Sequence, residues 1–180
     1  MKREETMPTG LSLNELIEYT DWERLKWLEF FQLHGDQALA IAAGPHGDGR
    51  FAIIGDLVRH IFSAEKRYID RLSDRAITET GSIPNNSVEA LFEFGQQSRA
   101  ALKQFVNALP AQDWDRPQEF TLMNNSLTVT ARKIVVHVLM HEIRHWAQMA
   151  TLLRLNGLKG EFHDFLFSPV LGGELKRAAR

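Results

Sequence analysis

Ile134, Val138, His141, His145, Gln148, Leu152 and Leu155 succeed one another at alternating steps of four and three residues, the spacing of a single inward stripe on an α-helix. A helix carrying such a stripe must bury it, yet three of the middle positions are polar. Each buried polar group left unpaired costs about 1–3 kcal/mol, so finding partners for His141, His145 and Gln148 becomes a condition on the whole fold. His141 and His145 are one turn apart, and their imidazoles leave the same face and can converge on one ion. Histidines also pack in cores as neutral rings that donate to a carbonyl, but an ion satisfies both rings at once. His137 lies one turn before His141 and forms an alternative pair with it. His137 and His145 are about 12 Å apart along a helix axis, too far to share an ion, and spacing alone leaves open which pair binds.

The remaining helices follow from periodicity and punctuation. Ser12 and Glu15 have capping-box spacing, and Leu13, Leu16, Ile17, Trp27, Leu28 and Phe31 recur at helical intervals up to His34-Gly35. Tyr19, Trp22, Phe30 and Leu33 lie off that stripe, which predicts either a wide core contact or a self-association surface. Breakers between Ala43 and Gly49 mark a loop, in which His46 is read as solvated. A second helix is expected from about Phe51 to Leu72, with His60 at the edge of its apolar stripe. Glu65 falls on that stripe between Ile61 and Tyr68, where a carboxylate needs a partner or a shifted pKa. Five residues separate it from His60, which turns it away from any ion that His60 holds.

Residues 73–86 form a connection longer than a helical hairpin needs, as a crossover would require. A third helix runs from about Ser87 to Leu109 and is stopped by Pro110. Its middle is thin at Gly95 and Ser98, which leaves room for a substrate or for a close helix contact. Residues 111–127 read as irregular, and the fourth helix starts near Thr128 or Thr130 and ends at Asn156-Gly157. The tail Phe162–Phe167 reads as a short apolar segment packed back on the bundle, with His163 structural. All six prolines fall outside the four helices. The expected fold is all-α, one domain over residues 1–180 with its core at about 12–167.

Composition narrows the functions. With 21 basic against 23 acidic residues, and no basic block beyond Lys176, Arg177 and Arg180, electrostatic binding of nucleic acid is not expected. The chain has no cysteine, so a thiol reaction would need a thiol brought in from outside. No stretch is long and apolar enough for a membrane span, and the first residues lack the apolar core of a signal peptide, so a cytoplasmic location is expected.

His141-Glu142-Ile143-Arg144-His145-Trp146-Ala147-Gln148, followed by Leu153-Arg154 and Asn156-Gly157, resembles the last-helix motif of the DinB family of metalloenzymes. Leu57-Val58-Arg59-His60-Ile61-Phe62-Ser63-Ala64-Glu65 resembles that family's second-helix motif. The resemblance implies a four-helix bundle in up-down-down-up order with a short C-terminal helical segment. It also implies a divalent metal ion, nickel or zinc, on His60, His141 and His145, with His137 outside the ligand set, and a homodimer.

The resemblance further implies thiol-dependent transfer chemistry. Three neutral imidazoles leave a coordination position open, as in catalytic sites. The expected function is thus metal-dependent activation of a low-molecular-weight thiol or of water, for S-transfer to, or hydrolysis of, a small-molecule electrophile. Glu142, Glu65 and Gln148 are the candidates for orienting the ligands, and Arg144 reads as a surface charge. The rival expectation is a non-catalytic dimeric stress or scaffold protein whose metal pins two helices.

Overall fold

The computed structural model describes residues 10–44, 50–122, 125–160 and 164–172. His46, His163 and the basic residues near the C-terminus lie outside the described residues. Four helices dominate: α1 (Leu13–His34), α2 (Ile54–Leu72), α3 (Val88–Ala108) and α4 (Ala131–Leu155). Among the described residues no helix is long and apolar enough to cross a membrane.

Local chemistry sets the helix ends. The Ser12 hydroxyl accepts from the Glu15 N–H at 3.2 Å while Glu15 accepts from the Ser12 N–H at 2.6 Å, the reciprocal capping box. Gly35, at φ 73°, closes α1 in a conformation that a side chain would strain. Ser87 and Thr130 cap α3 and α4 through the N–H groups of Ala90 and Lys133. Helix α2 begins at Ile54 rather than Phe51. The Asp56 carboxylate accepts from the Ala52 and Ile53 N–H groups at that end, and Phe51 is released to pack elsewhere.

The long connection after α2 is strapped back along that helix. Asp70 accepts from the backbone and hydroxyl of Thr78, Arg59 donates to the carbonyls of Gly81 and Ile83, and Asn85 donates to Asp56. The chain thereby returns to the first turn of α2, where a Cβ on Gly55 would lie 1.7 Å from the Asn85 carbonyl oxygen. Only glycine permits that approach.

The all-α expectation is corrected by a small antiparallel sheet, β1 (Gln118–Leu122) paired with β2 (Asn125–Val129), in the segment read as irregular. Its sequence alternates polar and apolar residues and carries Thr121, Thr128 and Val129, the β-branched types that suit a half-buried strand. Phe120 fixes the hairpin to the helices, being buried and stacked on Tyr68 at 5.6 Å and 7°. Leu155, assigned to the inward stripe of α4, is 68% exposed because the helix ends there.

The core has two apolar parts. One gathers Trp27, Phe31, Leu57, Phe62, Leu91 and Trp146, with the Trp27 and Trp146 rings stacked at 5.7 Å. The other gathers Ile17, Ile69, Leu102, Val135, Val138 and Leu139. Between them each helix contributes buried polar or charged residues: Thr20 and Arg24 from α1, Glu65 from α2, Ser98 and Arg99 from α3, Glu142 from α4. The broad apolar surface of α1 is largely a core contact, since Tyr19 and Phe30 are buried and Phe165, in a turn of 3-10 helix (Phe165–Phe167), packs edge-on against Tyr19 at 5.0 Å.

Candidate metal centre

Helices α2 and α4 bring three histidines to one point. His60 Nε2 lies 3.2 Å from His141 Nε2, which lies 3.1 Å from His145 Nε2. All three ligand atoms fall within 4.8 Å of one another. A tetrahedral ion with Zn–N bonds of about 2.0–2.1 Å spaces its ligand nitrogens about 3.3 Å apart, so the donor set fits a single divalent ion. His145 is fully buried, while His60 and His141 are half-buried.

The surroundings favour the neutral, ligating form of the rings. Gln148 Oε1 can only accept, so the His145 Nδ1–H donates to it at 3.0 Å and the lone pair is left on Nε2. Burial, followed by the neighbouring rings of His145, His60 and His137 and by the Arg144 charge, pushes His141 down to about 3. Phe51 packs on His60 at 4.9 Å and on His145 at 6.1 Å, closing one side of the cluster with an apolar ring. His137 stacks between His141, at 5.8 Å, and Tyr68, at 5.5 Å, outside the group whose atoms converge.

Glu65 and Glu142 have a different set of partners. The Arg24 guanidinium meets Glu142 at 2.6 and 2.8 Å and Glu65 at 3.1 Å. Arg99 meets Glu142 at 2.6 Å and Glu65 at 3.0 Å, and also donates to Thr20 and Asp21. Trp146 donates to Glu142 and Ser98 to Glu65, so two positive and two negative groups balance in the core. Burial alone would raise the Glu142 carboxyl, but Arg24 and Arg99 hold it below its ordinary value. The thin middle of α3 is a close contact within this layer: a Cβ on Gly95 would press on the Phe62 ring at 2.8 Å, and Arg24 donates to the Gly95 carbonyl. The nearby cavity, about 360 Å³, opens between α1 and α3 with Arg24 and Arg99 in its lining.

Glu23 is the unbalanced member. It is 4% exposed and its Oε2 has no hydrogen-bond partner among the described residues. Burial, and then the Glu142 charge, raise it from an ordinary 4.5 to about 8. An acid raised on folding keeps its proton while the unfolded chain loses it, so stability falls by about 1.4 kcal/mol per pH unit between those two values and levels off above them. Between pH 5.5 and 7.5, denaturant unfolding is expected to show a fall of roughly 2–3 kcal/mol in the wild type relative to Glu23→Gln. Equal pH slopes in the two proteins contradict the assignment.

The sequence model of the DinB family matches residues 7–171. The chain belongs to the DinB family. Among solved structures, a DinB-like protein from Bacillus cereus superposes with a TM-score of 0.62 at 15% identity, covering 82% of this chain and 94% of that one. No curated protein matches the sequence significantly. In this DinB chain the residues that sequence reasoning missed are Arg24, Arg99 and Phe51. The signal for the arginines was present: Arg24 sits between Thr20 and Trp27, and Arg99 beside Ser98, both within otherwise apolar helical faces.

Proposed function

We propose that this chain is a cytoplasmic metalloenzyme in which His60, His141 and His145 hold a divalent ion, nickel or zinc, for reaction of a small thiol or water with an electrophilic small molecule. The observation that carries this reading is the convergence of three Nε2 atoms from two helices at 3.1 and 3.2 Å. A divalent ion held there would lower the pKa of a coordinating water or thiol. The protein's own contribution is orientation and exclusion of water. Gln148 fixes the His145 tautomer, Phe51 shields one side, and the Arg24–Glu142 and Arg24–Glu65 pairs tie α2 and α4 at the spacing that the ligands need. The return of the 73–86 connection to the first turn of α2, where Asn85 meets Asp56 and Gly55, starts α3 at the same end as α2 and supports the up-down-down-up order.

Replacing each ligand histidine by alanine, then following metal content, melting and turnover of thiols with electrophiles, tests the reading. Loss of metal and turnover with the fold retained supports an enzyme, whereas loss of the fold with no turnover in the wild type supports a scaffold. Gln148→Ala is expected to weaken metal binding about 10- to 100-fold while leaving the helices intact; an unchanged affinity in a competitive chelator titration removes Gln148 from this role. A homodimer is part of the proposal, supported by Leu25 and Leu33 of α1, which are 52% and 81% exposed. Sedimentation is expected to show a dimer that Leu33→Glu weakens, and a monomeric wild type contradicts it.

A further inference from the structure

Beside the candidate metal cluster, α4 carries a row of polar residues of which only His141 belongs to that cluster. Lys133, His137, His141 and Arg144 follow one another at steps of four, four and three, so they line one face of the helix. An open depression of about 630 Å³ lies along this row. Val136, Met140 and Ile143 supply its apolar lining, and Met140 is 59% exposed. His141 borders the depression and also belongs to the metal cluster. Arg144 is about 4.5 Å further along the helix axis than His141, so both residues line the same end of the depression.

The charges along this path have one sign. Among the described residues, no acidic residue lines the depression. Arg24, Arg59, Arg99 and Arg132 are each paired with a carboxylate. Arg144 and Lys133, by contrast, form no ion pair among the described residues. A lone exposed cation is ordinarily a solvated charge of little energetic weight. These two line a depression that reaches His141, and three neutral imidazoles would bring no negative charge to offset a divalent ion, so the charge along the depression is positive. It repels a cationic ligand, and the apolar lining gives an aliphatic chain somewhere to lie.

We propose that the molecule completing this centre is an amphipathic anion, its carboxylate received by Arg144, with Lys133 reaching the far end of longer molecules, and its aliphatic part lying on Val136, Met140 and Ile143. This rests on the metal reading above and deepens it by naming the charge class of the ligand. For the thiol that class means a mercapto acid rather than a neutral or cationic thiol.

The test is titration of the cobalt-loaded protein at low ionic strength with three thiols of similar size: 3-mercaptopropionate, 3-mercapto-1-propanol and cysteamine. The readout is the cobalt–sulfur charge-transfer band. The wild type is expected to bind the carboxylate thiol about tenfold more tightly than the alcohol, with cysteamine weakest. Arg144→Gln is expected to shrink the preference to about twofold and Arg144→Glu to reverse it; Arg144 is exposed, so both variants should fold. Equal binding of the three thiols, or a preference that Arg144→Gln leaves unchanged, overturns the proposal while the metal reading stands. A second arm measures perturbation of the cobalt visible bands by pentanoate and by 1-pentanol. If no thiol gives a charge-transfer band but pentanoate perturbs the spectrum and Arg144→Gln weakens it, the thiol part of the function fails and the anion site stands. If pentanoate also has no effect, or if cobalt is not taken up at all, the anion site fails too.

Discussion

Glu142→Ala is expected to lower the stability of the fold by about 3–5 kcal/mol, because it leaves two buried guanidinium groups facing a single carboxylate. Coulomb attraction in a buried layer does not make the layer a net gain over apolar packing, but it makes each member costly to remove alone. The four groups balance in pairs. The double variant Arg24→Met with Glu142→Leu leaves Arg99 against Glu65 and is therefore expected to cost less than the sum of its single changes, with a coupling of about 1–3 kcal/mol. Denaturant unfolding of the four proteins of this cycle measures it. Additive effects would mean that the layer is not the coupled unit described here. The same change reaches the metal centre indirectly, since the Glu142 carboxylate meets Arg24, Arg99 and Trp146 rather than the three histidines.

The second large effect belongs to His141, whose Nε2 lies 3.2 and 3.1 Å from those of the other two candidate ligands. His141→Ala is expected to weaken divalent-metal binding by more than about 100-fold and to remove the stabilisation that metal confers, about 2.7 kcal/mol when free metal is 100 times the dissociation constant. Melting of the wild type should then fall on addition of a chelator, and melting of the variant should not respond. Without metal, the two proteins should differ in acid. The folded-state value of about 3 lies below the ordinary 6.5, so the unfolded chain takes up the proton first. The stability that depends on a neutral His141 is present above about pH 6.5 and is lost at about 1.4 kcal/mol per pH unit as pH falls toward 3. His141→Ala should flatten that limb. An acid limb equally steep in the variant would show that another group controls it.

How much of this was legible beforehand depended on whether a residue's role was local or relational. The caps at Ser12, Ser87 and Thr130, and the alternating stripe of α4, act within one or two turns, and periodicity and residue type reveal them. Glu65 on an apolar stripe announced that a partner existed but not that it was Arg24 and Arg99, which lie on α1 and α3 and meet it only once the helices are packed. Glu142 was read beside the histidines because it is their neighbour in sequence. Its side chain leaves α4 toward the guanidinium groups instead. The hairpin at Gln118–Val129 was not legible because each strand is five residues long and the first follows Pro117, so its alternation is too short to be told from an irregular connection. His137 stood equal to His145 on spacing, since helical periodicity fixes a face but not what the opposite helix presents to it. The position of His60 on α2 breaks that tie.

An anomalous-difference map from crystals of the tag-free protein, grown after supply of nickel or zinc and recorded at the corresponding absorption edge, addresses the central claim with the fewest intermediate assumptions. The predicted result is one peak about 2 Å from Nε2 of each of His60, His141 and His145, with the Gln148 amide still accepting from His145. A peak ligated by His137 in place of His145, or no peak between α2 and α4, would contradict the account.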